Sequence, residues 1–408
     1  MRVVLRLLKW VGLSILTLLI GGFLFALFRF GPVPLTLAWA KDTPNGPKAT
    51  PAITLPFDRE AAWETLQAEV YGRLPETATV RVVSRNVHDH LGGTLTNLEM
   101  VATLDGTDTQ PFGISLVSRH ADAPLIVWQS FSPRGAAIDH PSVPGERFEG
   151  TAANILEFVF GRYIQTPPVE AILDQGYAFA VMHPPEMIPD NGEAGVAELS
   201  RMSPGEPRMG AILAWALSGK MAVDALQMDA LETKRPIISA GHSRYGKSAL
   251  VWAAIDPRVE AVISHQGGTG GASLSKDKRG ETVEQITYSY PHWFASNYAE
   301  ENLSVDQHHL LALIAPRPVL LGGARRDVWS DPNGALRAAI GAVPAYEEAG
   351  VTEPLPARDL SDFVPSATIA LWLRPGTHGV VEEDWPAFLR FLDAHFQSGD
   401  DEPLRTAG

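Results

Sequence analysis

From Pro168 onward the sequence alternates helix-spaced and strand-like runs five times before a last helix. "PVEAILDQG" precedes "YAFAVM", "RMGAILAWALSGKMAVDALQ" precedes "PIISAG", and "YGKSALVWAAI" precedes "VEAVISH". "VDQHHLLALIA" then precedes "RPVLLGG", "ALRAAIGAVPAYEEAG" precedes "TIALWLR", and "EDWPAFLRFLDAHF" closes the series. Short apolar runs, each reached through a helix, are what strands buried on both faces of a parallel sheet look like. Upstream, the helix-spaced "FDREAAWETLQAEVYG" leads into "TVRVVSRNV", "LEMVATL", "FGISLV" and "PLIVWQ" with no helix between them. These predict antiparallel strands joined to the same sheet, and hence a mostly parallel, doubly wound α/β sandwich of three layers. With 408 residues and 45% apolar content the chain can bury one large core.

Two features narrow the chemistry. A net charge of −14, with no dense basic tract, argues against nucleic acid as a partner. The absence of cysteine removes disulfides, thiolate catalysis and cysteine-based zinc sites together.

The stretch "GHSRYGKSAL" places Ser243 between the strand "PIISAG" and a helix. A serine on a sharp strand-to-helix turn is the nucleophile elbow of α/β-hydrolases, and the Arg244 N–H would point to where an oxyanion forms. The usual G-x-S-x-G spacing is displaced, because Arg244 and Tyr245 precede Gly246. The plainer alternative makes Ser243 an N-cap of the helix. In this fold the histidine comes last, and only His378 and His395 of the twelve lie beyond the last strand. His395 falls inside a helical run, whereas His378, in "RPGTHGVVEED", sits on the loop where the base belongs. The loop after "RPVLLGG" offers Asp327 and Asp331 as the acid. Asp331 precedes a proline as a turn former would, so Asp327 is the first choice and Asp331 the second.

Several motifs in order resemble the glucuronoyl esterases, carbohydrate esterase family 15, in their bacterial form. They are "GHSRYGKSALVWA", "GGTGGASLSK", "GETVEQI", "YPHWF", "VDQHHLLALIAPRPV", "DVWSDPNG" and "HGVVEEDWPAFL", within a resemblance running from about Ala61 to His395. The resemblance implies that Ser243 is the nucleophile, His378 the base, and Arg244 a holder of the oxyanion through backbone and side chain. It also implies that Lys247 and Glu281 meet sugar hydroxyls and that Trp329 packs beside a uronate. Aligning on Gly268, Gly270 and Gly271 puts Gln266 in the slot where many members carry the acid; glutamine has no charge, and Asp327 fits the alternative place. "QSFSPRGAA" and "MHPPEMIPD" depart from the family pattern, which leaves the alcohol side of the ester open.

Arg244 and Lys247 also stand out physically, since the helix dipole disfavours cations at a first turn by a few tenths to about 1 kcal/mol. Donors preset for an anionic intermediate are worth about 3–4 kcal/mol per oxyanion contact, which gives cations a reason to be there. Trp293, in "YPHWF", is either a second sugar platform or a core residue. His308 and His309 are adjacent and so point to different helix faces, unlike an i, i+4 zinc pair. No metal or organic cofactor is implied.

The first residues carry Arg2, Arg6 and Lys9, and then Trp10 to Phe28 runs nineteen residues without a charge. At about 1.5 Å per residue a helix of that length covers roughly 28 Å, close to a bilayer core. An uncleaved anchor fits better than a signal peptide, with the bulk of the chain on the periplasmic or outer face of an inner membrane; secretion after cleavage is the alternative. The expected plan is a cytoplasmic basic segment (1–9), an anchor (10–28), a linker (29–52), a catalytic domain (53–400) and a tail (401–408). The expected activity is a serine esterase cleaving esters of (4-O-methyl)glucuronic acid, as in lignin–glucuronoxylan cross-links. The alternatives are a carboxylesterase for another acyl or carbohydrate ester, and a non-catalytic carbohydrate-binding relative.

Overall fold

The computed structural model describes residues 2–30, 51–145, 164–228, 235–356, 360 and 363–397. The expected linker 29–52 lies mostly, and the tail 401–408 wholly, outside the described residues. Among the described residues ten strands form one sheet. They are β1 (Ala78–His90), β2 (Gly93–Leu104), β3 (Thr107–Asp108), β4 (Phe112–Ser118), β5 (Leu125–Gln129), β6 (Ala178–Met182), β7 (Ile237–His242), β8 (Val259–His265), β9 (Val319–Ala324) and β10 (Ile369–Arg374). The order is β1-β2-β4-β6-β5-β7-β8-β9-β10, with β3 paired to β2. Pairing is antiparallel from β1 through β2 and β4 to β6, and parallel from β6 through β5 to β10. Both halves agree with the alternation in the sequence.

Strand alternation sorts the core into two layers. On β5, Leu125 and Val127 face one cluster while Ile126 and Trp128 face the other. The first cluster packs under α5 (Ala211–Gln227), α6 (Arg244–Ile255), α8 (Gln307–Ile314) and α9 (Pro332–Glu348). The second packs under α3 (Val169–Asp174) and α10 (Asp384–Phe396). Apolar residues such as Trp128, Trp215, Trp252 and Trp385 are essentially fully buried, and each large side chain so buried contributes about 1.5–3 kcal/mol.

Some elements were not legible in advance. The first globular helix, α2 (Arg59–Leu66), widens into a π-helical turn over Gln67–Tyr71. A further helix, α4 (Gly192–Met202), is capped by Asn191 and lies in a stretch with no helix expectation. The irregular segment 267–304 contains α7 (Val283–Ser289), held at its start by a reciprocal Thr282–Gln285 capping box.

α1 runs from Arg2 to Phe30, and its side chains are described continuously over 8–24. Among the described residues no helix is long and apolar enough to cross a membrane, so the expected span has no support there.

Candidate active site

The parallel arrangement brings the carboxyl ends of β7, β8, β9 and β10 to one edge, and the loops leaving them carry the site. Ser243 leaves β7 with φ 57° and ψ −121°, a conformation that costs a non-glycine residue roughly 1–3 kcal/mol. Two hydrogen bonds hold it: its N–H donates to His265 O at 2.8 Å, and its carbonyl accepts from Lys247 N at 3.1 Å. The turn is tight enough that a Cβ on Gly241 would lie 2.4 Å from Tyr245 O. The Ser243 hydroxyl makes no capping bond to α6, which removes the N-cap alternative. The first N–H groups of a helix have no partner within it, and Arg244 N–H opens α6.

His378 follows β10, and its Nδ1 lies 2.7 Å from Asp327 Oδ2 on the loop after β9. Asp327 is 3% exposed. Burial pushes its carboxyl upward, but the His378 charge and hydrogen bond and two bonds from Ser330 outweigh this and hold it below its ordinary range. An ionised Asp327 can only accept, so Nδ1 carries the hydrogen and Nε2 is left with its lone pair. Asp331 does something else. It caps α9 from a left-handed backbone (φ 52°), accepting from Gly334 N at 3.0 Å and Arg279 N at 3.1 Å. His395 lies on α10 against Phe391, with Nε2 3.3 Å from Ala367 O.

The cations do not reach into solvent. Arg244 Nη1 pairs with Asp190 Oδ2, and its guanidinium lies 4.6 Å from the Trp293 ring centre and 5.1 Å from that of Phe131. Burial pushes the Asp190 carboxyl up, but a His292 hydrogen bond, the Arg244 charge and a Trp293 hydrogen bond bring it down to about 2. Lys247 is 3% exposed, and its Nζ donates to Gly267 O and Thr269 O, each at 2.6 Å. Burial lowers its ammonium to about 7, against the opposing pull of Glu281. Glu281 is pushed upward by burial, while Lys247, Lys278 and a hydrogen bond from Trp329 hold it back. Trp329 is 38% exposed and presents ring surface beside these groups.

Trp293 corrects an expectation. It is 3% exposed, stacks on Tyr290 at 3.8 Å and 2° between planes, and donates Nε1–H to Asp190 Oδ1 at 3.0 Å. With no open face it cannot act as a sugar platform; it braces Asp190 and Arg244. Asp190 and Lys278, whose Nζ donates to Thr269 Oγ1, are neighbours of the site that the sequence did not single out. The His308–His309 pair lies on α8, where His309 Nδ1 takes part in the Asp306 capping box. Among the described residues no group of three acidic or histidine side chains is arranged to hold a metal ion.

A strained serine after the central parallel strand β7, with an aspartate–histidine pair on the loops after β9 and β10, is the arrangement of an α/β-hydrolase fold. The family model described as glucuronyl esterase, fungi, matches residues 168–350. Carbohydrate esterase MZ0003, from an unknown prokaryotic organism, is 37% identical over 244 residues, covering 57% of this chain and 56% of that protein. The 4-O-methyl-glucuronoyl methylesterase 1 of Wolfiporia cocos (strain MD-104) is 34% identical over 157 residues, 35% of this chain and 38% of that one. The chain thus spans no more than about half the length of these curated relatives. Among solved structures, a promiscuous CE15 esterase from a marine bacterial metagenome superposes with TM-score 0.71 at 25% identity, covering 87% of this chain and 98% of that one. A glucuronoyl esterase from Solibacter usitatus gives 0.70 at 27% identity, over 88% and 100%. The chain is thus similar to the glucuronoyl esterases, in sequence over residues 168–350 and in fold over most of its length.

Proposed function

We propose that the chain is a serine esterase that hydrolyses esters of (4-O-methyl)glucuronic acid, such as those joining glucuronoxylan to an aromatic alcohol. The observation that carries this reading is the setting of Ser243. The elbow is flanked by Arg244, and Lys247 on α6 is joined by Glu281 and Trp329 from neighbouring loops, polar and aromatic groups suited to an acidic sugar. His378 Nε2 takes the Ser243 Oγ proton as Oγ bonds to the uronate carbonyl carbon, and the carbonyl oxygen becomes an oxyanion facing Arg244. The carbon–alkoxide bond then breaks, and His378 returns its proton to the departing alcohol. Water, deprotonated by the same His378, attacks the acyl-enzyme and releases the uronic acid while Ser243 regains its proton. Asp327 holds the imidazole tautomer and stabilises the imidazolium throughout.

Benzyl glucuronate hydrolysis by the wild type, abolished in Ser243→Ala, supports this reading. Activity on acetyl or aryl esters alone would replace it with a carboxylesterase of another acyl group. That second reading draws on the "QSFSPRGAA" loop, where Arg134 is buried against Glu99 and Glu186. Sugar binding without hydrolysis of any ester would make the chain a non-catalytic relative.

We also propose that α1 attaches the protein to an inner membrane, with the catalytic part on the periplasmic or outer face. Support comes from apolar side chains with no protein cover: Trp10 is 67%, Leu18 75% and Leu19 66% exposed. Carbonate-resistant membrane association of the full chain, lost when residues 2–30 are deleted, is the expected result. A full chain that partitions with the soluble fraction would sink it.

A further inference from the structure

Three loops of the site meet at one corner, the peptide between His265 and Gln266. His265 O accepts the Ser243 N–H at 2.8 Å, which ties the corner to the nucleophile turn. Gln266 N–H donates to Gly322 O at 2.8 Å, on the strand that leads to Asp327. The Gln266 side chain reaches the third loop. Its Oε1 accepts from Gly379 N–H at 2.7 Å and its Nε2 donates to Thr377 O at 3.3 Å. Those two backbone groups lie on either side of His378.

We propose that Gln266 is a positioning residue that sets His378 over the nucleophile turn by clasping both flanks of its loop. The proposal rests on the reading of Ser243 as nucleophile and His378 as base. Gln266 is 3% exposed and has φ 53°, a left-handed backbone that costs a non-glycine residue roughly 1–2 kcal/mol. The amide orientation is fixed by its partners, because a peptide N–H can only donate and a carbonyl can only accept. The clasp therefore needs one acceptor and one donor on a single side chain of this length. Glutamine supplies both; an ionised glutamate supplies only acceptors and would face Thr377 O with like charge. Leucine supplies neither.

Other groups also hold this loop, so losing the clasp loosens it rather than unfolding it. Gly379 O accepts from His265 Nε2 at 3.0 Å and from Arg374 Nη2 at 2.8 Å, and Thr377 O accepts from Arg374 Nη2 at 3.1 Å. A base displaced by about 1 Å can cost on the order of a hundredfold in rate, so a modest loosening is visible in kinetics.

The test compares wild type with Gln266→Leu and Gln266→Glu by two rates. One is phosphonylation of Ser243 by a fluorophosphonate, which reports on the nucleophile and base whatever the natural ester is. The other is kcat and KM on benzyl glucuronate. Both are referred to folded protein by circular dichroism and thermal melting. The expected result is a loss of about tenfold or more in phosphonylation and kcat for Gln266→Leu, with KM within about twofold and the melt little moved. Gln266→Glu, which keeps the Gly379 bond, should fall between the two. A Gln266→Leu variant as fast as wild type overturns the inference, and so does a loss that only tracks the unfolded fraction. A wild type that is phosphonylated but does not cleave benzyl glucuronate sinks the glucuronoyl reading alone, and the labelling rates still decide the role of Gln266.

Discussion

Arg244 is held by Asp190, which lies 54 positions earlier in the chain on the loop after β6. The same carboxylate accepts from Trp293 Nε1 and lies 3.0 Å from His292 Nε2, so the cation beside Ser243 rests on a three-sided support. Asp190→Asn keeps the shape and removes the charge. A guanidinium misplaced by about 1 Å should cost roughly tenfold to a hundredfold in kcat/KM on benzyl glucuronate. Unchanged kcat/KM would show that Arg244 does not depend on this carboxylate.

The pair also predicts an acid limit to stability. The Asp190 carboxyl is depressed from an ordinary 3.8 to about 2, so the unfolded chain binds its proton first as pH falls. Its contribution is fully present above about pH 4 and is lost as pH falls through about 2. Urea unfolding of wild type and Asp190→Asn should therefore differ at pH 6 and converge toward pH 2. A constant gap across that window would exclude this carboxylate as the source.

Asp327 and Asp331 sit four residues apart with different work, and their asparagine variants should separate cleanly. Asp327→Asn leaves Nδ1 of His378 facing an amide that can present a donor, and kcat should fall by about 10³–10⁴-fold, with the fold kept. Asp331→Asn keeps an acceptor for Gly334 N but turns a donor toward Arg279 N, costing on the order of 1 kcal/mol of stability with little loss of kcat. The reverse pattern would exchange the two roles.

Much of the fold was legible because buried parallel strands and amphipathic helices write their own period into the chain. Ser243 and His378 could be placed because the fold ties each to the end of a particular strand. Asp190, the clasp made by Gln266 and the bond of Trp293 to Asp190 were not legible, for one physical reason. Each depends on partners far along the chain, separated by 103 residues for Trp293 and Asp190 and by 113 for Gln266 and Gly379. No local pattern encodes such a meeting. Lys247 lay between these cases: its position on the first turn of α6 followed from the sequence pattern, whereas the turn of its ammonium toward two carbonyls did not.

Lys247 predicts how substrate affinity changes with pH. Burial lowers its ammonium from an ordinary 10.5 to about 7, so it is charged below that pH and neutral above it. Two of its three donors are taken by Gly267 O and Thr269 O. A hydrogen bond from the charged form is worth about 1 kcal/mol more than one from the neutral form, so KM for benzyl glucuronate should rise about fivefold between pH 6 and pH 8. Lys247→Met should give a raised KM that no longer changes across this range. A wild-type KM that is flat from pH 6 to 8 would remove Lys247 from substrate binding.

Beneath the His378 loop, Asp384 and Arg374 form a buried ion pair, with Arg374 Nε 2.9 Å from both carboxylate oxygens. Asp384 is 0% and Arg374 3% exposed. Burial opposes the Asp384 charge, but His265 and Arg374 overcome it and hold the carboxyl well below its ordinary range. Trp372 Nε1 and Val381 N also donate to it, so every lone-pair direction has a partner. Removing one member of such a pair strands the other in a dry interior, at a cost of about 3–5 kcal/mol. Arg374→Met should show this loss in urea unfolding, and it also strips donors from Thr377 O and Gly379 O beside the base. Arg374→Met combined with Asp384→Leu removes both charges and should be destabilised by less than the sum of the single changes. Strict additivity would mean that the two charges do not depend on each other, and the base loop would then rest on the remaining hydrogen bonds alone.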